Sequence, residues 1–71
     1  METQGNTTGS ETMEATVTKT TMFDQPDRYV LSVDGKRVGS YRFIRNAVYD
    51  AFSVTTAVTY VDVDGSRTTL N

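Results

Sequence analysis

The residues best equipped for chemistry are Lys36, Arg37, Arg42 and Arg45, four cations within ten residues, with no acid among them and with Tyr41 and Phe43 interleaved. Cations at this density can replace the counterions of a polyanion, and rings beside them can stack on bases, so the run could form a phosphate-backbone or single-strand site. Strand alternation divides it. Arg37, Gly39, Tyr41 and Phe43 would fall on one side and Lys36 and Arg42 on the other, which turns the aromatics inward and leaves the cations solvated or free to contact a protein. With Tyr49 added as an amphipathic contact residue, the expected partner-binding set is Lys36, Arg37, Arg42, Arg45 and Tyr49.

Carboxylates offer less. Asp62-Val63-Asp64-Gly65 opens like a calcium loop, but that loop needs a third Asp before the Gly and a Glu six residues after it, where Asn71 stands. The chain has no His, no Cys and no Trp. The usual general base, the thiol nucleophile and the commonest metal ligands are therefore missing, and hydroxyls without a histidine cannot build the familiar triad. Gly35 and Gly39 belong to a hairpin and not to a phosphate-cradling strand-to-helix loop. A folded part this small buries only about 60% of its unfolded surface and seldom encloses a cleft for acid–base work. The expectation is a non-enzyme that carries neither metal nor cofactor.

Thirteen Thr and nine Val against two Leu, one Ile and four Ala is strand composition. With no cysteine there is no disulfide framework, and the default setting is the reducing cytoplasm. No apolar run approaches the ~18 residues that span a bilayer, and the first ten residues lack the basic and apolar regions of a signal peptide, so neither membrane nor export is expected. The net charge of −2 is uneven: residues 1–14 carry three Glu and no base, whereas residues 15–71 hold seven basic residues against six Asp, or +1. Residues 1–13 lack apolar periodicity and read as a disordered tail; Asn6-Thr7-Thr8 matches a glycosylation acceptor without a secretion signal beside it. Residues 14–71 read as one β-rich domain.

Within that domain, extended runs alternate with turn chemistry. Ala15, Val17, Thr21 and Phe23 share one face of a first strand, which Asp24-Gln25-Pro26-Asp27 ends as a turn. Tyr29, Leu31 and Val33 alternate along a second strand, Asp34-Gly35 turns the chain, and residues 36–43 return as a third. Ile44, Ala47, Val48, Ala51 and Phe52 recur at helical spacing, predicting a short helix over residues 44–53 with Asn46 as its cap; an all-β barrel is the alternative. Residues 57–63 and 66–70 follow as strands around Asp64-Gly65. The fold class is α+β: a small three-stranded antiparallel meander with one short helix packed on it, followed by a further strand or hairpin. The expected core is Val17, Phe23, Tyr29, Leu31, Val33, Tyr41, Phe43, Val48, Phe52, Val61 and Val63. Val33-Asp34-Gly35-Lys36-Arg37 and Val63-Asp64-Gly65-Ser66-Arg67 match at four of five positions, which two Asp-Gly hairpin turns explain without a duplication.

Three functions suit such a module. The first is a small non-catalytic protein-binding accessory protein with a protein as its partner. Small intracellular proteins of this size are frequent among phage and mobile-element products that inhibit host machinery, CRISPR effectors included. The second is a nucleic-acid binder: the layout of a three-stranded antiparallel sheet, with Tyr29 to Tyr41 as its last two strands, and then a helix is similar to that of integrase arm-binding and AP2-type domains, which would imply a sheet laid in the major groove, although a core charge of +1 is small for a DNA binder. The third is a homodimer or a homo-oligomeric structural component that completes its sheet by edge pairing.

Overall fold

The computed structural model describes residues 13–70. Of the expected tail only Met13 falls within it; residues 1–12 lie outside the described residues. The elements are β1 (Glu14–Met22), β2 (Gln25–Val33), β3 (Lys36–Tyr41), α1 (Ile44–Val54), β4 (Ala57–Val61) and β5 (Arg67–Leu70). They form one sheet of order β3-β2-β1-β4-β5, antiparallel throughout except that β4 runs parallel to β1. The three-stranded meander is present, with α1 packed on it and a β4–β5 hairpin completing a mixed α+β sheet. The helix rules out the all-β barrel.

β1 is central because its Thr and Val alternation suits a strand bonded on both edges. Ala15 and Val17 face the helix, and registers Ala15↔Val33, Val17↔Leu31, Ala15↔Val58 and Val17↔Tyr60 carry that face across three strands. The core is small: Ala15, Val17, Leu31, Ala47, Ala51 and Val58 are buried, with Tyr29, Val33, Tyr41, Val48, Tyr60 and Leu70 packed around them. Ala47 and Ala51 are the helix residues that meet the sheet, and their small side chains let the helix backbone lie close to it. The helix begins at Ile44 with Phe43 as N-cap, not with Asn46 in that role, and Phe43 has no side chain that could accept a cap hydrogen bond. No acid stands in its first turn and no base in its last, so packing and not end chemistry holds the helix.

Burial corrects the expected core. Phe23, Phe43, Phe52 and Val63 are exposed, and Val61 lies on the face away from the helix. In β4 the inward residues are Val58 and Tyr60, and the strand stops at Val61, which moves Val63 into the turn. The first turn is also tighter than expected. It consists of Phe23 and Asp24, while Gln25, Pro26 and Asp27 already belong to β2. The register passes from Thr20↔Arg28 to Met22↔Gln25, so Pro26 and Asp27 together oppose Thr21 as a bulge, a place where a residue without an N–H is tolerated.

A second bulge matters more. Between Leu31↔Gly39 and Ser32↔Arg37 the extra residue on β3 is Val38, and inserting it reverses the side-chain parity of the strand. Arg37 therefore sits on the opposite face from Gly39 and Tyr41, not beside them as simple alternation predicts. The two matching turn sequences also diverge. Asp34 (φ 52°) and Gly35 (φ 84°) both adopt positive φ, forming the two-residue hairpin turn expected. Gly65 has φ 89° but closes a three-residue loop, Val63 to Gly65, in which the Gly65 N–H donates to the Asp62 carbonyl (2.9 Å) and the Asp62 N–H donates to that of Ser66 (2.9 Å).

Candidate functional site

Strand geometry separates the expected contact residues. Lys36 and Arg37 sit just after the Asp34-Gly35 turn, whereas Arg42 lies beyond the other end of β3, roughly 15 Å away at strand rise. What the fold aligns is Arg45 and Tyr49, joined by two rings that periodicity assigned to the core, with Arg42 adjacent in the chain to the first of those rings. Arg45 and Tyr49 are four residues apart on α1, and Phe52 follows three residues later on the same outward face. The Arg45 guanidinium lies over the Phe43 ring, 5.5 Å from its centroid, in cation–π contact. Tyr49 is 76% exposed, Phe43 55% and Phe52 38%. The product is a surface of aromatic rings around an arginine with no acid at the helix start. The sequence carried a signal for it: Arg45, Tyr49 and Phe52 show the same spacing as the core stripe, turned to the outer side.

On the other flank of α1 the helix meets β3 through one strong hydrogen bond. The Tyr41 hydroxyl donates to Asp50 Oδ2 at 2.6 Å, and this bond, assisted by burial, holds the Tyr41 hydroxyl above the ordinary tyrosine pKa. At neutral pH Tyr41 is a donor and not a nucleophile. Gly39 makes the bond possible: a Cβ there would lie 2.9 Å from the Tyr41 hydroxyl oxygen and about as close to its ring, so the ring occupies the space a side chain would fill. Next to this pair is an open cleft of about 510 Å³, lined by Met13, Leu31, Val33, Val38, Tyr41, Asp50, Ser53 and Val54. The Thr55 hydroxyl donates to the Met13 carbonyl (2.6 Å) and accepts from the Ala57 N–H (3.1 Å), tying the helix end to the starts of β1 and β4.

The carboxylates of the β4–β5 turn are occupied by that turn. Asp62 Oδ1 accepts from the Val63 N–H (2.7 Å), and Asp64 Oδ1 accepts from the Ser66 N–H (2.9 Å) and hydroxyl (2.7 Å), which holds Asp64 below the usual carboxylate range. Among the described residues no three potential ligands converge on a metal position. Nor is any helix among them long and apolar enough to cross a membrane. Lys19 forms the ion pair found among the described residues, 3.6 Å from Asp27; its pKa is raised first by Tyr29, its cross-strand neighbour on β2, then by Asp27, with a smaller contribution from Tyr60.

Fold and surface together define a small α+β module: a mixed sheet with one face under a helix, one face open, and an arginine–aromatic patch on the helix. No family model, curated protein or solved structure matches the chain.

Proposed function

We propose that this protein is a small non-catalytic binding module that acts by occupying the surface of a partner protein, with the patch of Arg42, Phe43, Arg45, Tyr49 and Phe52 as its contact. One observation carries the reading: all three phenylalanines of the chain are exposed, while the core is built from Ala, Val and Leu. A chain that can bury little apolar surface gains most by covering its largest rings, and burying a phenylalanine is worth up to about 1.5–3 kcal/mol. Leaving Phe43 and Phe52 outside is a stability loss that a partner on this patch would recover. Arginine amid aromatic side chains is also the composition of interface hot spots. An inhibitor that blocks a larger machine, of the kind phages and mobile elements encode, suits this design, and a fold without cysteines suits the cytoplasm.

The nucleic-acid reading loses support from the sheet itself. Five strands at about 4.8 Å spacing span roughly 19 Å, wider than the ~12 Å major groove that a three-stranded sheet would enter. The rings also lie on the helix and not on the sheet face that carries Arg37.

The test is capture by the immobilised full chain from a host lysate, with and without nuclease, run beside Arg45→Glu and Tyr49→Ala. A partner retained after nuclease treatment and lost with either variant supports the proposal. Nucleic acid as the captured species, with affinity falling by orders of magnitude from low to physiological salt, would sink it.

A further inference from the structure

The β1–β2 ribbon outruns its sheet. β4 pairs with β1 only as far as Thr18, and β3 pairs with β2 only from Tyr29 onward, so the rest of the hairpin projects beyond the sheet as a two-stranded arm. At its tip Phe23 is fully exposed (103%) and Met22 is 63% exposed. A free ribbon of two strands is marginal in water. Ending one in a naked ring and a thioether adds an apolar surface that nothing among the described residues covers.

The described residues also hold an open hollow with largely apolar walls. Leu31, Val33, Val38, Val54 and Met13 wall the cleft of about 510 Å³ described above, a size that receives large side chains or small ligands. Tip and cleft lie at opposite ends of β2: the tip at Gln25, the cleft at Leu31 and Val33. We propose that two copies of this chain associate through a reciprocal contact, the Met22 and Phe23 tip of each arm seating in the cleft of the other. Two elongated copies lying side by side and antiparallel about a two-fold axis place each tip over the other's cleft. The assembly closes at two, because no tip is left for a third copy. Charge agrees with this occupant. Asp24 follows Phe23 directly, and Lys36 is the cross-strand neighbour of the cleft residue Val33, while the one acid of the lining, Asp50, is engaged by the Tyr41 hydroxyl. The charges of the arm, Lys19 paired with Asp27 and Asp24 offset by Arg28, cancel, so it offers no cationic attraction to the other surface an apolar tip could enter, an anionic lipid headgroup layer.

The experiment is sedimentation equilibrium of the purified full chain up to about 1 mM, where weak interfaces become visible. A reversible monomer–dimer equilibrium is expected. Phe23→Ala should weaken it at least about a hundredfold, since the two-fold axis removes two rings at once and each is worth about tenfold. Val38→Asp, on the cleft wall, should do the same; if circular dichroism shows that variant unfolded, Val54→Asp on the opposite wall replaces it. Mixing Phe23→Ala with the cleft variant should restore a weaker heterodimer, because one intact tip then meets one intact cleft. Asp24→Lys should weaken the dimer, and Asp24→Lys combined with Lys36→Glu should recover it. A monomer at all concentrations, a dimer indifferent to Phe23→Ala, no recovery on mixing, or growth into open-ended polymers would each overturn the proposal. Binding of an unrelated partner through the helix patch leaves these readings unchanged, so the two proposals fail separately.

Discussion

Along β1 the chain alternates between two environments. Ala15 and Val17 lie under the helix and are buried, while Glu14, Thr16 and Thr18 look out from a face that no element among the described residues covers. The registers extend the contrast across the sheet. Under the helix run Val33, Ala15 and Val58, then Leu31, Val17 and Tyr60; on the open side one row reads Arg37, Ser32, Thr16, Thr59 and Thr69, and the next Ser40, Val30, Thr18, Val61 and Arg67. The open face is a hydroxyl lattice whose strand charges are Arg28, Arg37 and Arg67 against Glu14, so a domain close to neutral in sequence is cationic on one side of its sheet. Alternation thus does two jobs on the same backbone. One face builds the small core of this chain, and the other presents hydroxyls and charges.

The largest test of that division is Leu31→Ala, which empties the centre of the covered face and should cost about 2–5 kcal/mol. Val30→Ala, its neighbour on the open face, should cost under about 1 kcal/mol. Urea titration of both variants reads the contrast directly, and equal losses would mean that the open face is covered too.

A near-isosteric exchange sharpens it. Val17→Thr buries a hydroxyl among aliphatic side chains and should cost about 1–3 kcal/mol, whereas Thr16→Val should lie within about 0.5 kcal/mol of wild type, one residue away. Thermal melts of the two variants should move by several degrees and by almost nothing, respectively, in a domain this small.

Next comes the bond that fastens the covered face to its edge strand. Tyr41→Phe should cost about 1 kcal/mol at neutral pH. Because the folded state holds Tyr41 above its ordinary pKa, this contribution is complete below the ordinary tyrosine value and disappears as pH rises through the raised one. The gap between wild type and Tyr41→Phe should therefore close in strongly alkaline melts, and Asp50→Asn should lower the pH at which Tyr41 ionises in ultraviolet titration.

The smallest effect is expected from Arg67→Glu at the open margin, within about 0.5 kcal/mol in stability. A larger loss would show that the open face depends on its cations for more than solubility.

How far these features were legible depends on how local their causes are. The Asp34-Gly35 hairpin follows from two adjacent residues that tolerate positive φ, and the helix over 44–53 follows from apolar spacing within one segment; both appear as read, the helix starting at Ile44 and running to Val54. Asn46 failed as a cap because the helix begins before it, where Phe43 enters from β3. Of the contact set, Arg45 and Tyr49 come together since α1 aligns them and Arg42 precedes that helix by two residues, but Lys36 and Arg37 are held apart by the full length of β3. Phe43 and Phe52 could not be recognised as members of the patch. Their hydrophobicity argued for the core, and only the position of the helix on the sheet decides which of its apolar sides is covered.

What the residues determined by themselves is therefore the set of elements: Thr and Val alternation makes strands, Asp-Gly makes turns, and a stripe of small and apolar residues makes one helix. What required the tertiary structure is everything that depends on a count across strands. The parallel pairing of β1 with β4, the inward choice of Val58 and Tyr60 over Val61 and Val63, and the reversal of Arg37 by the Val38 bulge are each a shift of one residue or one neighbour. A strand has a period of two, so a shift of one residue exchanges its faces while leaving its local preferences unchanged. The chain's propensities cannot register the difference. The burial of Ala15, Val17, Leu31, Ala47, Ala51 and Val58 in one shared core selects among the registers, and that selection exists only once all the strands are in place.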